Sequence, residues 1–199
     1  MNSQLQSLLK DDTTAKNLLM AGGVGVFPCD TVYGLIARAS DPEAVAKLYA
    51  LKKREHKPGT VVAASVEQLV ALGVPEKNLR RVQSLWPNPI SVEMPLGENL
   101  SYMHQQTGRE GFRVVADERL RKLLEQTGPL VTSSANQPGE PGSNNVAEAF
   151  AYFEDSVDFY VDGGDLSGRP PSTLIGIADD GTITVYREGA VKVDDISLL

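Results

Sequence analysis

The strongest chemical signal in the chain is a pair of basic residues one apart, Lys52 and Arg54. They open a run, Lys52-Lys53-Arg54-Glu55-His56-Lys57, in a protein whose formal net charge is -7. A compact ammonium beside a planar guanidinium can hold one multiply charged anion. A solvated helix end gives the same pattern, because cations there complement the helix dipole. Polar residues at the ends of other apolar runs favour the anion: Thr31, Arg113, Ser134, Asn136 and Arg187. His56 could face the same anion or a carboxylate, or sit at the surface of the basic run. His104 reads as structural.

Several familiar chemistries are missing. No G-x-x-x-x-G-K-[ST] occurs, so a nucleotide here would not use a P-loop. Gly22-Gly23-Val24-Gly25 lacks the dinucleotide-binding spacing and precedes its strand instead of following it. Two histidines and one cysteine are too few for a zinc centre built by the protein, so no metal ligands are assigned. Cys29 would need a neighbouring base to act as a nucleophile. It reads better as a small buried filler.

The elements that must position these groups follow from periodicity. Residues 4–21 read as an amphipathic helix broken near Asp11 and Asp12, with Thr13 or Thr14 capping the second part. Val24 to Phe27 form a short buried strand ended by Pro28, and a polar loop carries Cys29, Asp30, Thr31 and Tyr33. Ser40-Asp41-Pro42-Glu43 reads as a capped helix start, and Lys52 falls at the exit of that helix. Thr60 to Ala64, Ile90 to Met94, Phe112 to Val115, Leu130 to Ser133 and Phe159 to Val161 read as strands. Short helices lie near 66–72, 79–86 and 117–124, and another follows Asn145. Residues 95–110 look like an exposed loop, in the manner of a lid. Thr173 to Ile177 and Thr182 to Tyr186 form a hairpin about Asp179-Asp180-Gly181. The final ten residues look like a tail. The pattern predicts one mixed α/β domain that is not a regular doubly wound sheet.

With 199 residues, the chain is long enough for one sizeable core. No run approaches the ~20 apolar residues of a membrane helix, and the first residues lack the pattern of a signal peptide. One cysteine fits a reducing cytoplasmic location. The negative charge argues against a surface that binds nucleic acid throughout, though not against a local basic pocket.

Taken together, these stretches resemble the threonylcarbamoyl-AMP synthases, the YrdC or Sua5 family. The family's K-x-R and S-x-N are similar to Lys52-Lys-Arg54 and Ser134-Ala-Asn136. Its P-T-[ED]-T-V-Y-G resembles Pro28-Cys-Asp-Thr-Val-Tyr-Gly34, with Cys29 in place of threonine. Trp86-Pro-Asn-Pro-Ile-Ser91, Phe112-Arg113-Val114, Pro138-Gly-Glu-Pro141, Asp162-Gly-Gly164, Ser172-Thr-Leu174 and Arg187-Glu-Gly189 continue the match. Asn88, Ser91, Val115 and Pro138 depart from it. The order and spacing cover residues 20–190, and the chain resembles the single-domain form.

The resemblance implies a YrdC-like twisted mixed sheet with flanking helices and a concave anion-binding pocket. It implies that L-threonine, bicarbonate and ATP, with Mg²⁺, give L-threonylcarbamoyladenylate and pyrophosphate for the t6A modification of tRNA. Any link to tRNA would be indirect, through separate proteins of that pathway. Carried over residue by residue, Lys52 and Arg54 are expected in the catalytic role. Thr31, Tyr33, His56 and Arg113 are expected at the amino-acid substrate, and Ser134, Asn136, Ser172 and Arg187 at the nucleotide beside Lys52 and Arg54. The competing readings are a divergent paralogue that binds or hydrolyses adenylates or modified nucleotides, and a non-enzymatic RNA-binding module.

Overall fold

The computed structural model describes residues 3–53, 58–178, 180, 182–192 and 194. Arg54 and His56, both expected in the site, lie outside the described residues. So do Lys57, Asp179 and Gly181 of the expected hairpin turn, and residues 195–199 of the expected tail.

The chain begins with α1 (Ser3–Leu8) and α2 (Asp12–Met20). The break falls where expected, but the cap is Asp11, whose carboxylate accepts the Thr14 N–H at 2.7 Å. An aspartate three residues before an unsatisfied N–H has the right reach and a favourable charge at the helix start. The same correction applies to α3 (Pro42–Lys52). Asp41, not Ser40, accepts the N–H groups of Glu43 and Ala44, each at 3.1 Å. Pro42 then takes the first helical position, where its missing N–H costs nothing.

Strands β1 (Gly25–Pro28), β2 (Tyr33–Arg38) and β3 (Thr60–Ala63) precede helices α4 (Val66–Leu72) and α5 (Glu76–Val82). Then come β4 (Ile90–Pro95), β5 (Arg109–Val114), α6 (Glu118–Thr127), β6 (Leu130–Ser134), α7 (Val146–Phe153), β7 (Phe159–Tyr160), β8 (Thr173–Ile177) and β9 (Ile183–Arg187). The nine strands form one mixed sheet in the order β7-β1-β2-β6-β3-β5-β4-β8-β9. The pairs β7-β1, β3-β5 and β4-β8 are parallel, and the others antiparallel.

Paired residues project to the same face of a sheet, and neighbours along a strand to opposite faces. One face carries Leu35, Val61, Phe112, Val92 and Ile175, in a large core cluster with Val45 and Leu48 of α3. The other carries Phe27, Ile36 and Val62, which pack with Ala15 and Leu19 of α2 and with Leu120, Leu123 and Leu124 of α6. The register puts Gly34, Ser134, Thr132, Thr60, Gly111 and Arg113 on that second face. Small and polar residues there cannot build a core, and the sheet stays open over them.

The segment 95–110 is not the free loop that its polarity suggests. Leu100 and Met103 are buried in the core cluster, and Tyr102 donates to the Ala39 carbonyl at 2.7 Å. Two buried apolar side chains and one tyrosine hydroxyl, all within residues 100–103, hold the middle of the stretch down. Among the described residues no helix is long and apolar enough to cross a membrane.

Candidate functional site

The open face of the sheet holds a hollow of about 220 Å³. Thr31 and Cys29 border it from the turn after β1, Gly34 from β2, Thr60 from β3 and Arg113 from β5. Thr132 and Ser134 come from β6, Ser172 and Leu174 from the start of β8, and Arg187 from the end of β9. These residues span more than 150 positions of sequence, and strand pairing collects them at one end of the sheet.

Arg113 is buried yet charged, and its partners explain how. One terminal nitrogen donates to Asp30 Oδ1 at 2.8 Å and the other to Ser91 Oγ at 2.8 Å. Its Nε–H, also buried, has no acceptor among the described residues. The guanidinium is thus fixed at two corners, carries one buried donor with no described partner, and borders the hollow.

The network continues across the sheet. Ser91 Oγ and Ser172 Oγ lie 3.1 Å apart. Arg187 donates to Ser172 Oγ at 3.1 Å and to the Ser172 carbonyl at 3.0 Å. Each arginine therefore gives a proton to one hydroxyl, and one hydroxyl gives its proton to the other. Of the two hydroxyls, that of Ser172 borders the hollow. Ser172, expected at the nucleotide, is the link between the two arginines.

Lys52 takes another position. Its side chain is fully buried and does not line the hollow. Coming from α3 on the far face, its ammonium reaches round the end of β6. It donates to the Ser134 carbonyl at 2.6 Å, to Asn136 Oδ1 at 3.0 Å and to the Asn136 carbonyl. Ser134 Oγ also donates to Asn136 Oδ1, at 2.5 Å. The Asn136 amide nitrogen is directed into the following loop, at the Gln137 and Glu140 carbonyls. The structure thus joins the two halves expected from sequence, Lys52 and Ser134-x-Asn136, in one buried knot behind the hollow. Of the three, Ser134 borders the hollow itself.

Tyr33 is not brought to the hollow. It is fully buried, and its hydroxyl accepts the Gly163 N–H at 2.7 Å and donates to the Gly164 carbonyl at 2.9 Å. Burial, then the charge of Asp162, raise its pKa. Alternation along β2 explains the placement: Gly34 faces the hollow, so Tyr33 faces the core. Its hydroxyl holds the Asp162-Gly-Gly164 turn.

Cys29 sits as the buried filler expected from its sequence setting. Its thiol lies 3.9 Å from Thr132 Oγ1, and burial, then the charge of Asp30, push its pKa up to about 12. A group with a raised pKa keeps its proton at pH 8. Iodoacetamide should therefore alkylate Cys29 in the folded protein roughly a thousandfold more slowly than in urea, because the thiolate is the reacting species. Mass spectrometry over a time course measures this, and equal rates would show that the thiol is not buried as described.

Sequence reasoning missed Asp30 and Ser91 as members of the site. A signal for Asp30 was present: it is the acidic residue of the turn before Gly34, and a buried arginine needs a counter-charge.

Comparison with known proteins places this geometry. The Sua5/YciO/YrdC family model, described as telomere recombination, matches residues 17–189. The chain belongs to the Sua5/YciO/YrdC family. A Pseudomonas aeruginosa relative named threonylcarbamoyl-AMP synthase is 33% identical over 165 residues, spanning 81% of this chain and 89% of that protein. P. abyssi Sua5, solved in complex with L-threonine, is similar in structure with a TM-score of 0.82 at 25% identity. That match covers 94% of this chain, which spans 58% of the P. abyssi protein. E. coli YciO shares the Sua5/YciO/YrdC fold, with a TM-score of 0.77 at 24% identity over 92% of this chain and 90% of that one. The twisted nine-stranded mixed sheet is the fold expected from the sequence resemblance.

Proposed function

We propose that this chain is a threonylcarbamoyl-AMP synthase acting in the cytoplasm as one YrdC-like domain. It would join L-threonine, bicarbonate and ATP into L-threonylcarbamoyladenylate and pyrophosphate, for t6A formation on tRNA. The observation that carries the reading is the pair of linked arginines, Arg113 and Arg187, facing one hollow on the open sheet face. Relatives bearing that name, and a family member complexed with L-threonine, support it.

The chemistry asks the protein to gather anions that repel each other. The threonine carboxylate would be drawn to the charge of Arg113 at the wall of the hollow, with Thr31 beside it. The threonine amine and bicarbonate form a carbamate with loss of water. One carbamate oxygen then attacks the α-phosphorus of ATP, and pyrophosphate leaves with the electron pair of the broken P–O bond. Arg187 would face a phosphate, and Ser134 the nucleotide. Lys52 would act as a fixed charge behind Ser134, with Asn136 holding that strand end in place. Arg54 and His56 keep the roles expected for them from the sequence. Such catalysis is positioning and preorganised charge, with no covalent intermediate on the protein.

A second hollow of about 300 Å³ adjoins the first through Pro58, Gly59 and Leu174. It is bordered by Thr107, Arg109, Gly111 and Tyr186, and it gives room for the nucleoside. Among the described residues no group of three or more His, Cys, Asp or Glu could hold a metal ion. Mg²⁺ would therefore arrive with ATP, held by phosphate oxygens and water, as part of the substrate.

Pyrophosphate release with MgATP and bicarbonate, with and without L-threonine, tests the reading, together with mass spectrometry for the adenylate. Threonine-dependent release with that product is the expected result. Folded protein that binds ATP without releasing pyrophosphate would overturn it in favour of the adenylate-binding paralogue. Salt-sensitive tRNA binding without turnover would favour the RNA-binding module.

A further inference from the structure

We infer that Tyr49 and Glu110 are positioning residues that pin Gly59, and with it the partition between the two hollows. The kinetic consequence of this pin rests on the synthase reading above; the pin itself does not.

Tyr49 and Lys52 lie three apart on the last turn of α3, so their side chains leave the same side of the helix. Both are buried. Lys52 goes to the end of β6, and Tyr49 goes the other way. Its hydroxyl accepts the Gly59 N–H at 3.1 Å, donates to the Met103 carbonyl at 2.7 Å and lies 3.2 Å from Glu110 Oε2. One phenol oxygen thus ties together three segments that are distant in sequence. These are the residue just before β3, the end of the 96–103 stretch, and the start of β5.

Glu110 is fully buried, on the α3 face of β5, and its other oxygen accepts the Gly111 N–H at 3.0 Å. A carboxyl group placed in a core is costly unless its oxygens are hydrogen-bonded. Here one oxygen holds the Gly111 N–H, and the other lies against the phenol oxygen, whose single proton serves either it or the Met103 carbonyl. Neither Tyr49 nor Glu110 borders either hollow. Gly59 borders both, and a Cβ built on it would lie 2.6 Å from the Thr132 carbonyl, so it already rests against β6. Pinned from behind by Tyr49 and stopped in front by Thr132, Gly59 has one position. The pair therefore acts on a ligand through the backbone of Gly59.

The test is Tyr49→Phe, which removes one oxygen and keeps the ring. Hydrogen-exchange mass spectrometry should show exchange in the peptide over 58–63 faster by about tenfold, the worth of one lost hydrogen bond. A peptide over β6 should stay unchanged. The KM for ATP should rise by about tenfold while kcat stays within about threefold. Glu110→Gln, which keeps the shape and can make the two contacts described above, should stay nearer wild type than Glu110→Leu in both readouts. If Tyr49→Phe does not fold, the Glu110 pair carries the same comparison. Unchanged exchange over 58–63 overturns the pin whatever the kinetics, and a lower melting point alone does not support it. Faster exchange in a protein whose wild type makes no adenylate would uphold the pin and sink the synthase reading.

Discussion

Replacing Lys52 by methionine should cut turnover by about 10²–10³ and also destabilise the protein. The first effect follows from charge. On the synthase reading, an ammonium fixed beside the end of β6 would stabilise negative charge that develops in the hollow. Removal of one such preorganised donor costs about 10²–10³ in kcat. The second effect follows from the hydrogen bonds. Methionine matches the length of the lysine stem but leaves the Ser134 carbonyl, the Asn136 carbonyl and Asn136 Oδ1 without the ammonium. Bonds to a charged donor are worth about 1.5–3 kcal/mol each and are not additive, so a loss on the order of 3 kcal/mol is expected. In a chain of this length that lowers the melting point by roughly 6–12 °C. Lys52→Arg should recover part of the stability and little of the activity. It keeps the charge, but a planar fork cannot meet three oxygens arranged around a compact ammonium. Differential scanning calorimetry and pyrophosphate release on the same samples decide the matter. Wild-type turnover in a folded Lys52→Met protein would remove Lys52 from the mechanism and leave it a structural knot.

That double effect shows what could be read from the chain and what could not. The pairing of Lys52 with Ser134 and Asn136 was visible as two short motifs, and the structure joins them. What the motifs could not say is which side of the sheet each group approaches. Lys52 arrives from the α3 face and reaches round a strand end, so it is buried behind the hollow and not at its wall, where the sequence reading expected it. Tyr33 illustrates the same point. Read as part of a polar loop, it stood next to Thr31 and belonged with the ligand. In fact Tyr33 begins β2, a strand buried on both faces that shows no alternation of apolar and polar residues. Once β2 is a strand, alternation sends Gly34 to the hollow and Tyr33 to the core. The link between Ser91 and Ser172 was beyond sequence reasoning. It depends on the parallel pairing of β4 with β8, two strands more than 70 residues apart. The caps of α2 and α3 were placed one to three residues late or early, because serine, threonine and aspartate all cap, and the local geometry chooses among them.

The largest effect on the amino-acid substrate is expected at Arg113. Arg113→Met removes the guanidinium that borders the hollow. Losing a charge-assisted hydrogen bond of about 3 kcal/mol weakens L-threonine binding roughly a hundredfold. The same change strands Asp30, whose side chain is 9% exposed beside an arginine that is 4% exposed. Breaking a buried ion pair from one side costs about 3–5 kcal/mol, because a charge is left without its partner. Asp30→Asn alone should be milder, since the amide can still accept from Arg113, and it should raise the KM for L-threonine more than it lowers kcat. The informative protein is the double variant, Asp30→Asn with Arg113→Met. With neither charge present it should regain about 2–3 kcal/mol over Arg113→Met alone, the coupling expected for partners in contact. It should regain no affinity for L-threonine. Thermal melts of the four proteins close the cycle, and titration calorimetry with L-threonine supplies the second readout. Recovery of binding together with stability would mean that Arg113 holds up the fold and something else binds the carboxylate. Recovery of stability alone separates the two duties of one guanidinium: Asp30 and Ser91 fix two of its nitrogens, and the charge they hold in place borders the hollow.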